Sequence, residues 1–429
     1  RNANGTWSEV QKIVASDRDN FDLFGQSVAI DGNYAIVGAF GEDEDTNGQN
    51  TKANAGSAYL FKRDANGTWS EVQKIVASDR DRNDRFGESV AISGNYAVVG
   101  TWREDEDVNG QNLKENAGSA YIFERDANGT WSQAKKIVAS DRNSGDRFGY
   151  SVSISGNYAI VGAIFEDEDA SGQNTERRAG SAYLFERNAT TGNWREVQKI
   201  VASDRFGGDW FASSVSMKGK YAIVGTYKAN SAYIFERNAT TGNWTEVQKI
   251  VASNSEFYDF FGYSVSISGD CAIVGAIFEE EDASGQNTLE KAGSAYLFER
   301  NATTGNWSEV QKIVASDRAD GDEFGSSVSI SGDYVIVGAL YADEKASGQN
   351  TLDSVGSAYI FERTPSTSFV TQQNPETSLV SAFVDECSML RLLDNKRFAG
   401  QPLEVRLFDV AGREILRRNI QQPVSLGHL

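Results

Sequence analysis

One beat dominates the chain. A Phe-Gly pair recurs at Phe24, Phe86, Phe148, Phe261 and Phe324, with Phe211-Ala212 as a degenerate fourth copy. Tryptophan keeps the same interval at Trp7, Trp69, Trp131, Trp194, Trp244 and Trp307. A repeat of about 60 residues cannot bury enough surface to fold alone, so its copies must pack on one another. The third copy reads "RFGYSVSISGNYAIVGAIFEDEDASGQNTERRAGSAYLFERNATTGNWREVQKIVAS", from Arg147 to Ser203.

Each copy reads as four strands. "SVSIS" alternates with period two, so Val152 and Ile154 share a face. "SGN" is a tight hairpin turn, and "YAIVGA" is an apolar run buried on both sides. An acidic loop leads to the third strand, "GSAYLFER". "NATTGN" or "DANGT" then turns the chain into the fourth, "WREVQKIVAS". The fourth strand alternates poorly, as an outer, half-wet strand would. Residues 1–363 show no sustained helical period. The fold class is therefore all-β. Four-stranded antiparallel blades ring an axis as a β-propeller. Residues 1–16 are a lone fourth strand, and the sixth unit ends after its third strand at Arg363. Pairing of the Trp7 strand with the strand around Tyr359 closes six blades; the alternative is a cut through a seven-bladed array.

The recurring "FG.SV.ISG.Y.IVGA … GSAY.FER … W" over residues 1–363 resembles the bacterial type of FG-GAP repeat, related to the integrin α-subunit propeller. The resemblance implies a β-propeller, commonly extracellular, used for adhesion or ligand binding. Integrin-type repeats often carry a calcium loop between strands one and two. Here that position is only "SGN", so the integrin site does not carry over by position.

The acidic loops lie between strands two and three. The first three read "DEDTNG", "DEDVNG" and "DEDASG", which fit the opening of a calcium loop: oxygens at positions one, three and five, then Gly for the sharp turn. The candidate ligands are Asp43, Asp45, Asn47 and the Gln49 carbonyl; Asp105, Asp107, Asn109 and Gln111; and Asp167, Asp169, Ser171 and Gln173. Copy five offers Glu280, Asp282 and Ser284. Copy six carries Lys345 at position three, which excludes an ion. Position twelve lacks the bidentate Glu of a full EF-hand loop. The other reading is a solvated acidic hairpin holding no ion. Copy four has no such loop: "VGTYKANSAYIF" runs straight from strand to strand.

Antiparallel strands place these loops and the four-to-one connections on one face. The five loops hold 18 of the 61 acidic residues in a chain of net charge −20, so that face should attract cations or cationic ligands. Such a charge disfavours a nucleic-acid partner. No apolar run approaches the length of a membrane helix. The only histidine is His428, and the two cysteines, Cys271 and Cys387, form no framework. Histidine-dependent catalysis and cysteine metal sites are thereby disfavoured. Carboxylate pairs abound, but each belongs to a repeated loop, and the chain reads as no enzyme. Asn4, Asn66, Asn128, Asn188, Asn238, Asn243, Asn301 and Asn306 fit N-x-[S/T], yet read better as turn residues. The tryptophans at strand starts read as caps between blades.

Composition changes after Arg363. Residues 364–378 read as a linker. Residues 379–429 read as a small β-sandwich-like domain, with a hairpin of strands Leu403 to Phe408 and Glu414 to Ile420. The stretch "VRLFDVAGREI" resembles the C-terminal sorting domain of type IX secretion substrates in Bacteroidota. The resemblance implies export, and the "SLGHL" end suggests truncation. The reading is a secreted or cell-surface binding or adhesion propeller, with calcium-stabilised loops and a protein or glycan ligand at the acidic face. A structural subunit of a self-assembling extracellular array and a lectin-like glycan binder are the alternatives.

Overall fold

A computed structural model describes residues 10–256, 258–343 and 356–363, together with four strands nearer the C-terminus. Two compact units result, Arg1–Thr364 and Pro365–Leu429. The first is an all-β six-bladed propeller. Five sheets have four strands in sequence order, and the sixth has three described strands. A single 3-10 turn, Tyr227–Ala229, interrupts the pattern.

Blade 3 shows how the sequence makes a blade. Its strands are Phe148–Ser155, Tyr158–Ala163, Ser181–Arg187 and Trp194–Ile200, each antiparallel to the next. The first turn is tight because Ser155 pairs with Tyr158, with Gly156 at φ 58°. "YAIVGA" is covered on both faces, as its unbroken apolar run requires. The fourth strand carries a bulge between Leu184 and Phe185 that leaves Val197 without an opposite residue. One extra residue moves the following side chains to the other face, so the poor alternation there has a local cause. Blades 1, 2, 4 and 5 repeat the shift.

Blade-on-blade packing supplies the core. Val152 and Ile154 pack with Val98, Ile122 and Phe148 between blades 2 and 3. Trp131, Trp194, Trp244 and Trp307 are buried, each edge-on to a tyrosine of the blade before: Tyr34, Tyr96, Tyr158 and Tyr221. They cap the space between blades, as their position in the repeat predicts. The glycine of Phe-Gly is needed for the same contact. A Cβ on Gly87 would lie 2.3 Å from the Ser57 carbonyl oxygen of the preceding blade, and its φ is +94°.

Residues 11–16 take the place in front of blade 1 that an outer strand takes in front of each later blade. The Gln11 amide donates to the Trp69 carbonyl at 2.7 Å and accepts from the Trp69 N–H at 2.9 Å. Gln73 grips Trp131 in the same manner. The pairing expected for Trp7 itself falls outside the described residues. Val28 and Ile30 of blade 1 are 68% and 67% exposed, whereas their counterparts Val90 and Ile92 are buried. On blade 6, Ile336 and Ile360 are also exposed.

In the second unit, Ala382–Val384 pairs with Leu390–Leu392 and Leu403–Phe408 with Glu414–Ile420, both antiparallel. The second pair is the hairpin read from the sequence. The remainder of the expected sandwich lies outside the described residues.

Candidate functional site

The acidic loops are fastened to their surroundings from three sides. In blades 1, 2, 3 and 5 the first acid of the loop turns inward. Glu166 is buried, accepts the Tyr183 hydroxyl at 2.7 Å and meets the Lys199 ammonium at 2.7 Å. Asp141, from the connection entering blade 3, takes the other side of both partners, at 2.7 and 2.8 Å. Blade 1 builds this from Asp17, Glu42, Tyr59 and Lys74, and blade 2 from Asp79, Glu104, Tyr121 and Lys136. Blade 5 substitutes Asn254 for the aspartate. Blade 4 lacks the glutamate, and its Lys249 pairs with Asp204 alone at a more exposed position. Burial between two carboxylates raises the Tyr183 hydroxyl far above the ordinary phenol value.

The second fastening is an arginine. Arg80 donates to the carbonyls of Asp43 at 2.6 Å and Asn50 at 2.7 Å. Arg142, Arg205 and Arg318 do the same for the loops of blades 2, 3 and 5. These arginines sit in the four-to-one connections, so both loop sets share a face, as strand polarity requires. The third fastening joins blade to blade. The N–H groups of Asn83, Arg85 and Phe86 donate to the carbonyls of Ala53, Asn54 and Ala55 at 2.9, 3.1 and 3.0 Å. Among the described residues, blade 4 meets blade 5 at this point through the Asn230 side chain on the Glu256 carbonyl.

The calcium reading can be tested on this geometry. One Asp45 oxygen accepts the N–H groups of Asn47 at 2.8 Å and Gln49 at 3.0 Å; the other accepts the Asn50 amide. Asp43 accepts the Asn54 N–H at 2.7 Å, and the Gln49 carbonyl accepts the Asp45 N–H at 2.9 Å. Asp107 and Asn109, and Asp169 and Ser171, form the same closed turn, with Asp105 and Asp167 on the N–H groups of Asn116 and Arg178. In those two copies the Gln111 and Gln173 N–H groups donate to the Asp107 and Asp169 carboxylates. In blade 5, Asp282 accepts from Ser284, and Arg318 takes the Glu280 carbonyl. These donations hold Asp169 and Asp282 well below the ordinary carboxylate range, with the serine hydroxyl the largest contributor. Both Asp45 oxygens and one of Asp43 carry these bonds, which leaves the loop short of the six to eight free oxygens that a hard cation takes. The sixth loop lies outside the described residues beyond Asp343.

Carboxylates do gather elsewhere. Oxygens of Asp79, Glu104 and Glu106, and of Asp141, Glu166 and Glu168, lie within 4.8 Å of one another and could hold a metal ion. Both clusters already contain a lysine, Lys136 or Lys199. The sequence reading singled out neither the buried glutamates nor these lysines. The signal was present: "KI" places a lysine at one position of the fourth strand of blades 1 to 5, beside the constant "AS(D/N)".

A further aspartate is buried in five of the connections: Asp22, Asp84, Asp146, Asp259 and Asp322. Burial and the neighbouring Glu104 push Asp84 up to about 8, and burial with Glu166 does the same to Asp146. The N-x-[S/T] asparagines Asn188, Asn238 and Asn301 serve the turns. Asn188 accepts the N–H groups of Thr190 and Thr191, both at 2.9 Å.

The comparison with known families follows the same units. FG-GAP repeats match residues 7–61, 69–123, 131–185, 194–235, 244–298 and 307–361. The chain belongs to the FG-GAP repeat family. The short fourth match is the blade without an acidic loop. No curated protein matches the chain. Among solved structures, a "putative 6-phosphogluconolactonase" from Bacteroides uniformis is 11% identical, covering 79% of this chain and 88% of its own, at TM-score 0.45. One of the same description from Bacteroides fragilis is 13% identical, covering 79% and 87%, at TM-score 0.47. A protein from Lactobacillus plantarum is 13% identical, covering 79% and 88%, at 0.48. Likeness at this level carries no argument about activity. No helix among the described residues of this FG-GAP protein is long and apolar enough to cross a membrane.

Proposed function

We propose that this FG-GAP propeller is a non-enzymatic binding module, exported and acting outside the cell or on its surface, with the acidic-loop face as its ligand face. The observation that carries the reading is the fastening of that face. Arginine braces, buried glutamates and backbone bonds to the next blade fix the loops before any ligand arrives, which lowers the ordering cost of binding. Catalysis is disfavoured because each close carboxylate set recurs from blade to blade with its own lysine and tyrosine. An acid–base pair needs one set with divided roles. Export rests on the resemblance of the 402–420 hairpin to sorting domains. Calcium in the D-x-D-x-[N/S]-G loops is not part of the proposal.

Blade 4 supplies the test, since it shows that a blade folds with a short connection. Replacing residues 165–180 of blade 3 with the 227–230 connection should leave the circular-dichroism melt cooperative. It should abolish whatever signal the wild type gives on an array of neutral, acidic and amino-sugar glycans and matrix peptides. Unchanged array binding by the loop-replaced protein would defeat the assignment of this face.

A second reading, a structural subunit, is favoured by the exposed Val28, Ile30, Ile336 and Ile360. These faces belong to the surfaces that join blade to blade elsewhere, and a second copy of the chain would cover them. Sedimentation velocity at micromolar concentration decides it: a monomer ends this reading.

A further inference from the structure

The repeats are internal controls for one another. Their strands hardly differ, yet the residue before the Phe of Phe-Gly takes five identities in six copies: Leu23, Arg85, Arg147, Trp210, Phe260 and Glu323. All six have left-handed φ, between 53° and 60°. The backbone geometry is thus constant while the side chain is free to vary, which is how a scaffold presents specificity residues.

These side chains interleave with residues that follow the second strands. Arg85 lies between the rings of Phe40 and Trp102, and Arg147 between those of Trp102 and Phe165. Trp210 continues the row between Phe165 and Tyr227, and Phe260 between Tyr227 and Phe278. Tyr150 stands beside Trp102 at 6.5 Å and Tyr263 beside Tyr227 at 5.3 Å between ring centroids. Blades 2 and 3 make it cationic. The Arg147 guanidinium is 4.1 Å from the Phe165 centroid and Arg178 is 4.7 Å from the same ring; Arg103 and Arg147 are 4.5 and 4.4 Å from Trp102. Glu88 lies 3.8 Å from Arg85 and in electrostatic reach of Arg103 and Arg147 as well, so three arginines share this carboxylate. Burial and mutual repulsion hold Arg103 and Arg147 below the ordinary guanidinium value. Guanidinium groups on aromatic faces, short of counter-charge, are suited to a planar oxyanion.

Arg147, Phe165 and Arg178 also line a cavity of about 600 Å³ between blades 2 and 3. Asn143, Asp146, Asp167 and Glu168 line the same cavity, with the Asp167 carboxylate on the Arg178 N–H. The guanidinium groups suit an anion and the carboxylates can accept hydroxyl protons. The same carboxylates repel a long polyanion. Building on the binding role proposed above, we infer that this cavity takes a short sugar acid. Its carboxylate would meet Arg147 and Arg178, a ring face would lie on Phe165, and its hydroxyls would donate to the Asp167–Glu168 side.

Calorimetric titration of the full chain with D-glucuronate, D-glucose and sodium sulfate tests this. Glucuronate should bind at least tenfold more tightly than either of the others. Arg147→Met with Arg178→Met should lose at least tenfold for glucuronate, and Phe165→Ala should bring it down to the level of sulfate, with melting curves showing all three proteins folded. No glucuronate binding, equal binding of glucose or of sulfate, or an unaffected arginine double variant would each overturn the inference. Array binding to neutral glycans alone, lost on loop replacement, would overturn it while leaving the broader binding role standing.

Discussion

The Arg80 guanidinium donates to the Asp43 carbonyl at 2.6 Å and to the Asn50 carbonyl at 2.7 Å, and so ties the two ends of an acidic loop together. The loop's positive partner is internal. Four like charges in a row are tolerable because they part company: Glu42 goes inward to Tyr59 and Lys74, while Asp43 and Asp45 are wrapped by loop N–H groups. Calorimetric titration of calcium into the wild type and into an Asp43→Ala, Asp105→Ala, Asp167→Ala variant should therefore give equal heats. A calcium heat present in the wild type and absent from the variant would contradict the closed-loop geometry.

The buried lysines make a sharper claim on stability. Lys136 is 2.7 Å from Asp79 and 3.3 Å from Glu104, and its side chain is 5% exposed. Lys136→Met removes the cation and leaves a buried carboxylate pair, which costs about 3–5 kcal/mol. Adding Glu104→Gln should recover part of that loss, because the remaining charge is then single. Urea denaturation of the two variants beside the wild type measures both steps; a double variant less stable than Lys136→Met contradicts the assignment.

Asp84 and Asp146 predict an uncommon pH dependence. Both are pushed up to about 8 in the folded state, against an ordinary value of 3.8. A raised carboxyl contributes stability that is complete below its unfolded value and is lost as pH rises through the folded value. Between pH 4 and 8 each should cost up to about 1.4 kcal/mol per pH unit. The melting temperature should fall on going from pH 6 to pH 8, and the fall should be shallower in the Asp84→Asn, Asp146→Asn variant. Parallel curves for the two proteins would rule these groups out as its source.

Much of the fold could be read because it repeats. Five Phe-Gly pairs, one Phe-Ala and six tryptophans mark six blade units, and period-two alternation fixes which face of "SVSIS" is inward. The tryptophan caps, the Asx-type turns at Asn188 and the hairpin Leu403–Phe408 with Glu414–Ile420 follow from local chemistry. The loop chemistry was harder to read. D-x-D-x-N-G specifies a turn whose oxygens can face an ion or their own backbone, and the brace on its carbonyls comes from Arg80, 37 residues along the chain from Asp43. The buried Glu–Lys–Tyr–Asp sets join residues up to 58 apart across three strands and a loop. No local period marks them. The bulge that exchanges faces in each fourth strand also escapes a pattern reading, because a single extra residue resembles weak alternation.

Ala212 tests the reason for the repeated glycine. It occupies the glycine position of the fourth Phe-Gly pair at φ 67°, where an L-residue pays roughly 1–2 kcal/mol of steric strain. A Cβ on the facing Gly162 would come within 3.0 Å of the Ala212 Cβ, so the two blades meet there with no room to spare. Ala212→Gly relieves the strain and restores the pair found in the other five blades. Part of the gain is offset by the greater freedom of glycine in the unfolded chain, about 0.4–1 kcal/mol. The net effect should be a stabilisation of up to about 1 kcal/mol. Gly87→Ala is the converse experiment. Its Cβ would have to move away from the Ser57 carbonyl oxygen 2.3 Å distant, which is backbone and cannot rotate aside, so blades 1 and 2 must separate. That variant should lose more than about 3 kcal/mol, since overpacking and positive-φ strain act together. Denaturation midpoints for the two variants should lie on opposite sides of the wild type. If Ala212→Gly destabilises the protein, the alanine side chain contributes packing that outweighs its backbone strain, and close backbone approach is not what the repeated glycine serves.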